Sequence, residues 1–272
     1  MKKNYLFLFA LLISCIQYSC DKQSGEESRK TSYLDYDKFI TNGLIAYYPF
    51  NGNTVDESGS GLDGAGHAIS FCVDRYGNEI GGCKFNGTDS YIEIENSQLL
   101  NGNGYTICFW YCADLSDTLK QVLISKTDSV GFGYALEIKC DDHMAHLEFI
   151  TQDTTIMHSS DPPCFAQAGY SIDPAIQYWS REWEDKYRFV AFAFTDTSFI
   201  DYLSGFEFTN SIPSIYNSNS FNLFIGAMVN KRYKNFTGNL DDLLIYNRVL
   251  SYEEIDVLMN WQYEPIPLPD LK

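Results

Sequence analysis

The chain of 272 residues is 45% hydrophobic, 16% aromatic and 20% charged, with 20 Tyr and 19 Phe, a profile that demands a buried core and excludes disordered and collagen-like classes. Its 36 Asp and Glu against 19 Lys and Arg give a net charge of -17, and no basic stripe occurs, so nucleic acid is excluded as a partner: binding a polyanion needs cations to neutralise its phosphates. Neutral or cationic ligands and metal ions remain open.

Residues 1–19 have the form of a lipoprotein signal peptide, with Lys2 and Lys3 ahead of an apolar run from Tyr5 to Ile16 that is too short for a spanning helix of ~20 residues. Cys20, between Ser19 and the polar Asp21-Lys22-Gln23, is the expected lipid-bearing residue; Cys15, after Leu12-Ile13-Ser14, is the alternative. The acidic, Ser-rich residues 20–42 lack apolar periodicity and are expected to form a flexible tether. The protein is therefore expected at the outer membrane or cell surface, held by its N-terminal lipid.

From residue 43 onward, short runs rich in Tyr, Ile, Val and Phe alternate with turn residues such as Asn51-Gly52-Asn53, Gly77-Asn78 and Asn101-Gly102-Asn103-Gly104. In chain order the predicted strands are Leu44–Phe50, Tyr91–Ile94, Tyr105–Tyr111, Gln121–Ser125, Tyr134–Lys139, Phe189–Phe194, Asn222–Ile225 and Asp242–Tyr246. One helix follows, where Ser251 and Glu254 form a capping box ahead of Ile255, Val257 and Leu258. The domain is expected to span 43–263, with a Pro-rich tail over 264–272.

Disulfides can persist in an exported chain, and eight cysteines are present. If Gly77-Asn78 is a two-residue hairpin loop, residues whose numbers sum to 155 face each other, which pairs Cys72 with Cys83. Cys108 and Cys112 lie about 13 Å apart on one extended strand and cannot pair with each other, which leaves Cys140, Cys164 or a buried thiol state for each.

Several motifs are decoys. Gly59-Ser-Gly61-Leu-Asp-Gly64 matches a dinucleotide fingerprint, but no β-α-β unit surrounds it, so no nucleotide is expected. His143, His146 and His158 lack metalloprotease spacing. Glu93 and Glu95 share a strand face, ~7 Å apart, without the Glu-x-Asp-x-x-Glu pattern of β-glucanases. Asp56, Ser58, Ser60 and Gly61 imitate the start of an EF-hand loop, yet His67 stands where its terminal Glu belongs.

Gly43-Leu-Ile-Ala-Tyr-Tyr-Pro-Phe50-Asn-Gly-Asn53, Phe85-Asn-Gly87 with Tyr91-Ile-Glu-Ile94, and Phe236-Thr-Gly238-Asn-Leu-Asp241-Asp-Leu-Leu-Ile-Tyr246 resemble, in order, the LamG-like jellyroll family of the concanavalin A-like lectin/glucanase superfamily. The leader and tether resemble those of Bacteroidetes lipoproteins. The resemblance spans Gly43 to Asn260, and 141–187 departs from it. It implies an all-β, two-sheet antiparallel jellyroll sandwich with one short C-terminal helix, in agreement with the strand and turn pattern. It also implies a structural Ca2+ shared between the Asp56 loop and the closing segment, held by Asp56, Asp63 and Asp241, with Asp242 in reserve. In the atypical segment, Tyr178, Trp179, Trp183 and Tyr187 are candidate rings for stacking on sugars. The expected function is a non-catalytic extracellular module that binds glycan; a cell-surface protein partner is the alternative, and a glycoside hydrolase the third possibility.

Overall fold

The computed structural model describes residues 40–116, 119–128, 133–141, 144–151, 155–163, 187–195, 197–203, 206–211, 219–229 and 233–260. The leader, the lipidation candidates Cys15 and Cys20, Tyr178, Trp179, Trp183, Cys164 and the Pro-rich tail lie outside them. Every element below belongs to the compact unit that begins at Gly43.

Two eight-stranded sheets form the fold. The first has the order β13 (Phe206–Ser211), β12 (Ser198–Leu203), β11 (Arg188–Thr195), β6 (Gly104–Ala113), β16 (Thr237–Tyr246), β4 (Gly82–Asn86) and β3 (Ser70–Cys72), with β1 (Leu44–Tyr48) also on β16. The second runs β10 (Thr155–Pro163), β9 (Met144–Thr151), β8 (Gly133–Asp141), β7 (Gln121–Thr127), β14 (Leu223–Ile225), β5 (Tyr91–Ile94) and β2 (Gly64–His67). The short β15 (Lys234–Asn235) adds to β7 in parallel, and every other pairing is antiparallel. Helix α1 (Tyr252–Met259) starts at the expected capping box, with Ser251 and Glu254 each bonding the other's backbone N–H.

Alternation sets the core. On β6, Tyr105, Ile107, Phe109 and Tyr111 point into the sandwich, where they meet Val190, Phe192 and Phe194 of β11 and Tyr134, Leu136 and Ile138 of β8. Phe149 of β9 is the aromatic hub, with ring centroids 4.3 Å from Phe199, 5.4 Å from Phe194 and 5.8 Å from Phe192.

The expected strands all form, and the chain adds others. The segment expected to depart from the fold contributes β9 and β10, which pair antiparallel in the second sheet; the two prolines of β10 sit on the last strand of that sheet's order, where no further ladder bond is needed.

The proposed Cys72–Cys83 bridge does not form. Asp74 Oδ1 accepts from Tyr76 N and Asn78 N at 2.8 and 2.9 Å, wrapping Val73–Gly81 into a broad loop in place of a two-residue turn. Cys72 consequently pairs with Gly82, and Cys83 with Phe71. A shift of one residue in register sends neighbouring side chains to opposite faces, so Cys83 is buried in the core, Cys72 faces outward, and both thiols are free.

Candidate functional site

The four expected metal-binding carboxylates fall into two separate arrangements. Asp56 is 7% exposed and spends both oxygens on backbone: Oδ1 accepts from Tyr47 N at 3.0 Å and Ser58 N at 2.9 Å, and Oδ2 from Leu62 N at 3.0 Å. Asp63 is exposed and accepts from Asp56 N at 2.9 Å. This is a carboxylate-centred turn that satisfies N–H groups the strands leave over.

Asp241 and Asp242 sit on the outer face of the first sheet. β16 pairs β4 through Thr237–Leu240 and β1 through Leu243–Tyr246, and where it changes partner a bulge inserts one extra residue opposite β6. Asp242 takes φ 45° there, in a region L-residues seldom occupy, and both carboxylates reach one guanidinium. Arg75 places one terminal nitrogen 2.7 Å from Asp241 Oδ2 and the other 2.6 Å from Asp242 Oδ2, and its own backbone N–H donates to Asp241 at 3.3 Å. Its Cζ lies 4.2 Å from the Tyr76 ring centroid and 4.9 Å from that of Trp110. The Tyr47 hydroxyl donates to Asp242 Oδ1 at 2.6 Å while its backbone N–H serves Asp56, so Tyr47 spans the two arrangements. Burial, then the Asp242 charge, pushes the Asp241 pKa up against the pull of Arg75; burial likewise raises that of Asp242. For Arg75, burial acts downward, but the two carboxylates outweigh it and the pKa rises. Among the described residues, no three His, Cys, Asp or Glu side chains converge as a metal cluster. The four expected Ca2+ ligands thus stand in two arrangements, and Asp241 and Asp242 both contact the Arg75 guanidinium.

Tyr187, the one described ring of the four candidates, donates its hydroxyl to Val73 O at 2.8 Å and lies 3.7 Å from Cys72 Sγ. It pins the loop after β3 to the first sheet. That face is further closed where Thr106 Oγ1 donates to Arg248 O and accepts from Leu250 N, fixing the entry to α1.

Among the described residues, the outer face of the second sheet is partly exposed at its β2–β5–β14 end. Ile92, Ile94, Leu223 and Ile225 point into the core, so Tyr91, Glu93 and Phe224 face outward. His67 lies opposite Tyr91, and Phe224 opposite Glu93. The His67 and Tyr91 rings stack with centroids 4.3 Å apart and 17° between planes, and Phe224 lies 6.0 Å from Tyr91. Glu93 accepts from Asn222 Nδ2 at 2.7 Å and lies 3.9 Å from His67 Nε2. The His67 and Glu93 side chains are 44% and 31% exposed, leaving a strip of flat rings beside a carboxylate and an amide, all within reach of solvent. In the sequence, Glu93 stands out only beside Glu95 as an incomplete β-glucanase pattern, and His67 only in place of an EF-hand's terminal Glu. Their shared face follows from the β2–β5–β14 pairing, which the sequence alone does not specify.

Gly226–Val229 crosses β7 beside this strip: Ala227 O accepts from Ser125 Oγ at 2.7 Å, and Met228 packs on Val122 and Ala135. Beyond it, Glu137 and Glu148 lie directly opposite each other on β8 and β9. Lys120 bonds Glu148 and approaches Glu137 at 3.8 Å, and Lys139 lies 3.3 Å from Glu148. Both carboxylates are enclosed, at 1% and 3% side-chain exposure, and balanced by ammonium groups. This pair is arranged as an internal ion network and not as an acid and base in a cleft.

Residues 86–256 match the family model described as the concanavalin A-like lectin/glucanases superfamily. No curated protein sequence matches. Solved structures share the fold at low identity. One is reported under cell entry of botulinum neurotoxin type C dependent upon two ganglioside molecules; TM-score 0.55, 14% identity, covering 81% of this chain and 51% of that one. The binding domain of botulinum neurotoxin DC with rat synaptotagmin II gives 0.56 and 13%, covering 81% and 52%. Domain 4 of a GH43 extracellular arabinanase from Geobacillus stearothermophilus, in complex with arabinotriose, gives 0.55 and 19%, covering 79% and 98%. The chain thus spans about half the length of the toxin structures and nearly all of the arabinanase domain.

Proposed function

Because the chain belongs to the concanavalin A-like lectin/glucanases superfamily, we propose that it is a non-catalytic carbohydrate-binding module, exported and held at the cell surface by a lipid on Cys20 or Cys15. The observation that carries this reading is the solvent-accessible strip His67–Tyr91–Phe224 beside the Glu93–Asn222 pair on the outer face of the second sheet. Flat rings stack on the C–H faces of sugar rings, and a carboxylate beside an amide offers acceptor and donor to adjacent hydroxyls. The negative net charge suits neutral glycans better than acidic ones. Support of a general kind comes from structures of like fold: cell entry of botulinum neurotoxin type C depends on interaction with ganglioside molecules, and the arabinanase domain is in complex with arabinotriose. Trp179 and Trp183 remain expected contributors from the atypical segment. A protein partner is the second reading: the same rings would suit a hydrophobic contact, and one structure of like fold is a complex with synaptotagmin II.

The test is a glycan array probed with the full chain without its leader. Binding of neutral oligosaccharides is expected, and Tyr91→Ala should weaken it at least ~10-fold, the loss of about 1.4 kcal/mol of ring contact. Retention on sugars at full strength in Tyr91→Ala would remove the strip from the account; no binding to any glycan would favour the protein partner.

A further inference from the structure

We propose that Arg75 is the chain's resident cation at the Asp241–Asp242 pair, so that this corner of the sandwich is closed by an internal ion pair and needs no divalent metal. The need for a cation is built into β16. The bulge at its change of partner turns two successive carboxylates to one side, 2% and 3% exposed, and two such charges side by side require a compensating positive group.

Arg75 meets that need in three ways. Its two terminal nitrogens take one carboxylate each, and its backbone N–H adds a third donor to Asp241. Its Cζ lies over the Tyr76 and Trp110 rings and a terminal nitrogen donates to the Tyr76 hydroxyl, a setting that suits a guanidinium, while Trp110 offers a hard metal ion no oxygen. The Tyr47 hydroxyl closes the second oxygen of Asp242.

Ca2+ requires six to eight oxygens. Here Asp242 is committed at both oxygens, Asp241 Oδ2 accepts twice from Arg75, and the Asp56 carboxylate is committed to three backbone N–H groups. What joins the Asp56 turn to the closing segment is Tyr47, through its N–H at one end and its hydroxyl at the other. Arg75 also belongs to the loop that Asp74 wraps, so the ion pair fastens Val73–Gly81 onto the first sheet across 166 residues of sequence.

The experiment is thermal unfolding of the full chain without its leader, for wild type, Asp241→Asn and Arg75→Gln, each in ~5 mM CaCl2 and in EDTA. Wild type is expected to melt within about 1 °C in the two buffers, whereas a site with a Kd of ~50 µM would be saturated ~100-fold and raise the midpoint by several degrees. Arg75→Gln strands two buried carboxylates, and Asp241→Asn removes one partner of the guanidinium; both should melt lower by on the order of 10 °C for Gln and less for Asn, each relative to wild type in EDTA as well as in calcium. A wild-type midpoint that rises by several degrees in calcium, with the rise abolished by Asp241→Asn, would overturn the proposal. So would an Arg75→Gln variant as stable as wild type in EDTA. If Arg75→Gln fails to fold, the wild-type and Asp241→Asn comparisons decide the matter alone: destabilisation of Asp241→Asn in EDTA supports the ion pair, and destabilisation confined to calcium refutes it.

Discussion

Asp56→Ala should be among the most damaging single changes outside the core, and its cost can be worked from the bonds removed. The carboxylate accepts three backbone N–H groups, from Tyr47, Ser58 and Leu62, at 2.9–3.0 Å, and is 7% exposed. Alanine leaves all three donors without that acceptor in a setting where water reaches poorly. With about 1.5–3 kcal/mol for each bond to a charged acceptor, and some loss recovered as the turn relaxes, the expected cost is roughly 3–6 kcal/mol. Asp56→Asn separates charge from shape. Its amide oxygen can keep the two bonds at Oδ1, but its NH2 then faces the Leu62 N–H, so about half the alanine cost is expected. Urea unfolding followed by far-UV circular dichroism reads both values, with the slope against denaturant unchanged from wild type. An Asp56→Ala variant within about 1 kcal/mol of wild type, or an Asn variant as costly as Ala, would refute the assignment of Asp56 as the acceptor that organises Tyr47–Leu62.

Three further outcomes follow from the same geometry. Phe149→Ala removes the ring at the centre of the Phe192, Phe194 and Phe199 cluster and should cost about 3–5 kcal/mol by the same assay. Gly226→Ala should cost roughly 2 kcal/mol, because φ is 82° there and a Cβ would fall 2.6 Å from the Phe85 ring. Lys126 is fully buried, with its ammonium on Asn101 Oδ1 and Asn219, and burial lowers its pKa from 10.5 to about 8. The unfolded chain then binds the extra proton between those values, so this residue's contribution to stability rises with pH across that window. Denaturant unfolding between pH 7.5 and 9.5 should therefore show wild type gaining relative to Lys126→Met; a flat or falling difference would contradict it.

Local rules carried the fold a long way. The alternation Tyr105, Ile107, Phe109, Tyr111 fixes which face of β6 is buried, and the Ser251–Glu254 box places the start of α1, because both signals lie within a few residues of sequence. Gly77-Asn78 does not make a two-residue hairpin loop because Asp74, three residues upstream, accepts from the backbone of Tyr76 and Asn78 and lengthens the loop; one residue of register then separates Cys72 from Cys83. Nothing in the local sequence marks Arg75, because its partners lie 166 and 167 positions away and meet it through the packing of the β3–β4 loop on β16. The carboxylates expected to gather around one ion follow from the family resemblance, and an aspartate's residue type alone does not distinguish a turn acceptor, a metal ligand and an arginine partner. The outward strip was hidden for a related reason: His67, Tyr91 and Phe224 become neighbours only when β2 and β14 dock on either side of β5.

The central claim is that the outer face of the second sheet binds carbohydrate, and isothermal titration of a neutral oligosaccharide identified on the array tests it most directly. The titration compares wild type, Tyr91→Ala and Trp110→Phe, the last of which lies on the opposite sheet against Arg75. The account predicts that Tyr91→Ala weakens binding at least ~10-fold while Trp110→Phe binds as wild type does. Equal affinity in wild type and Tyr91→Ala, with loss in Trp110→Phe, would place the ligand on the first sheet and contradict it.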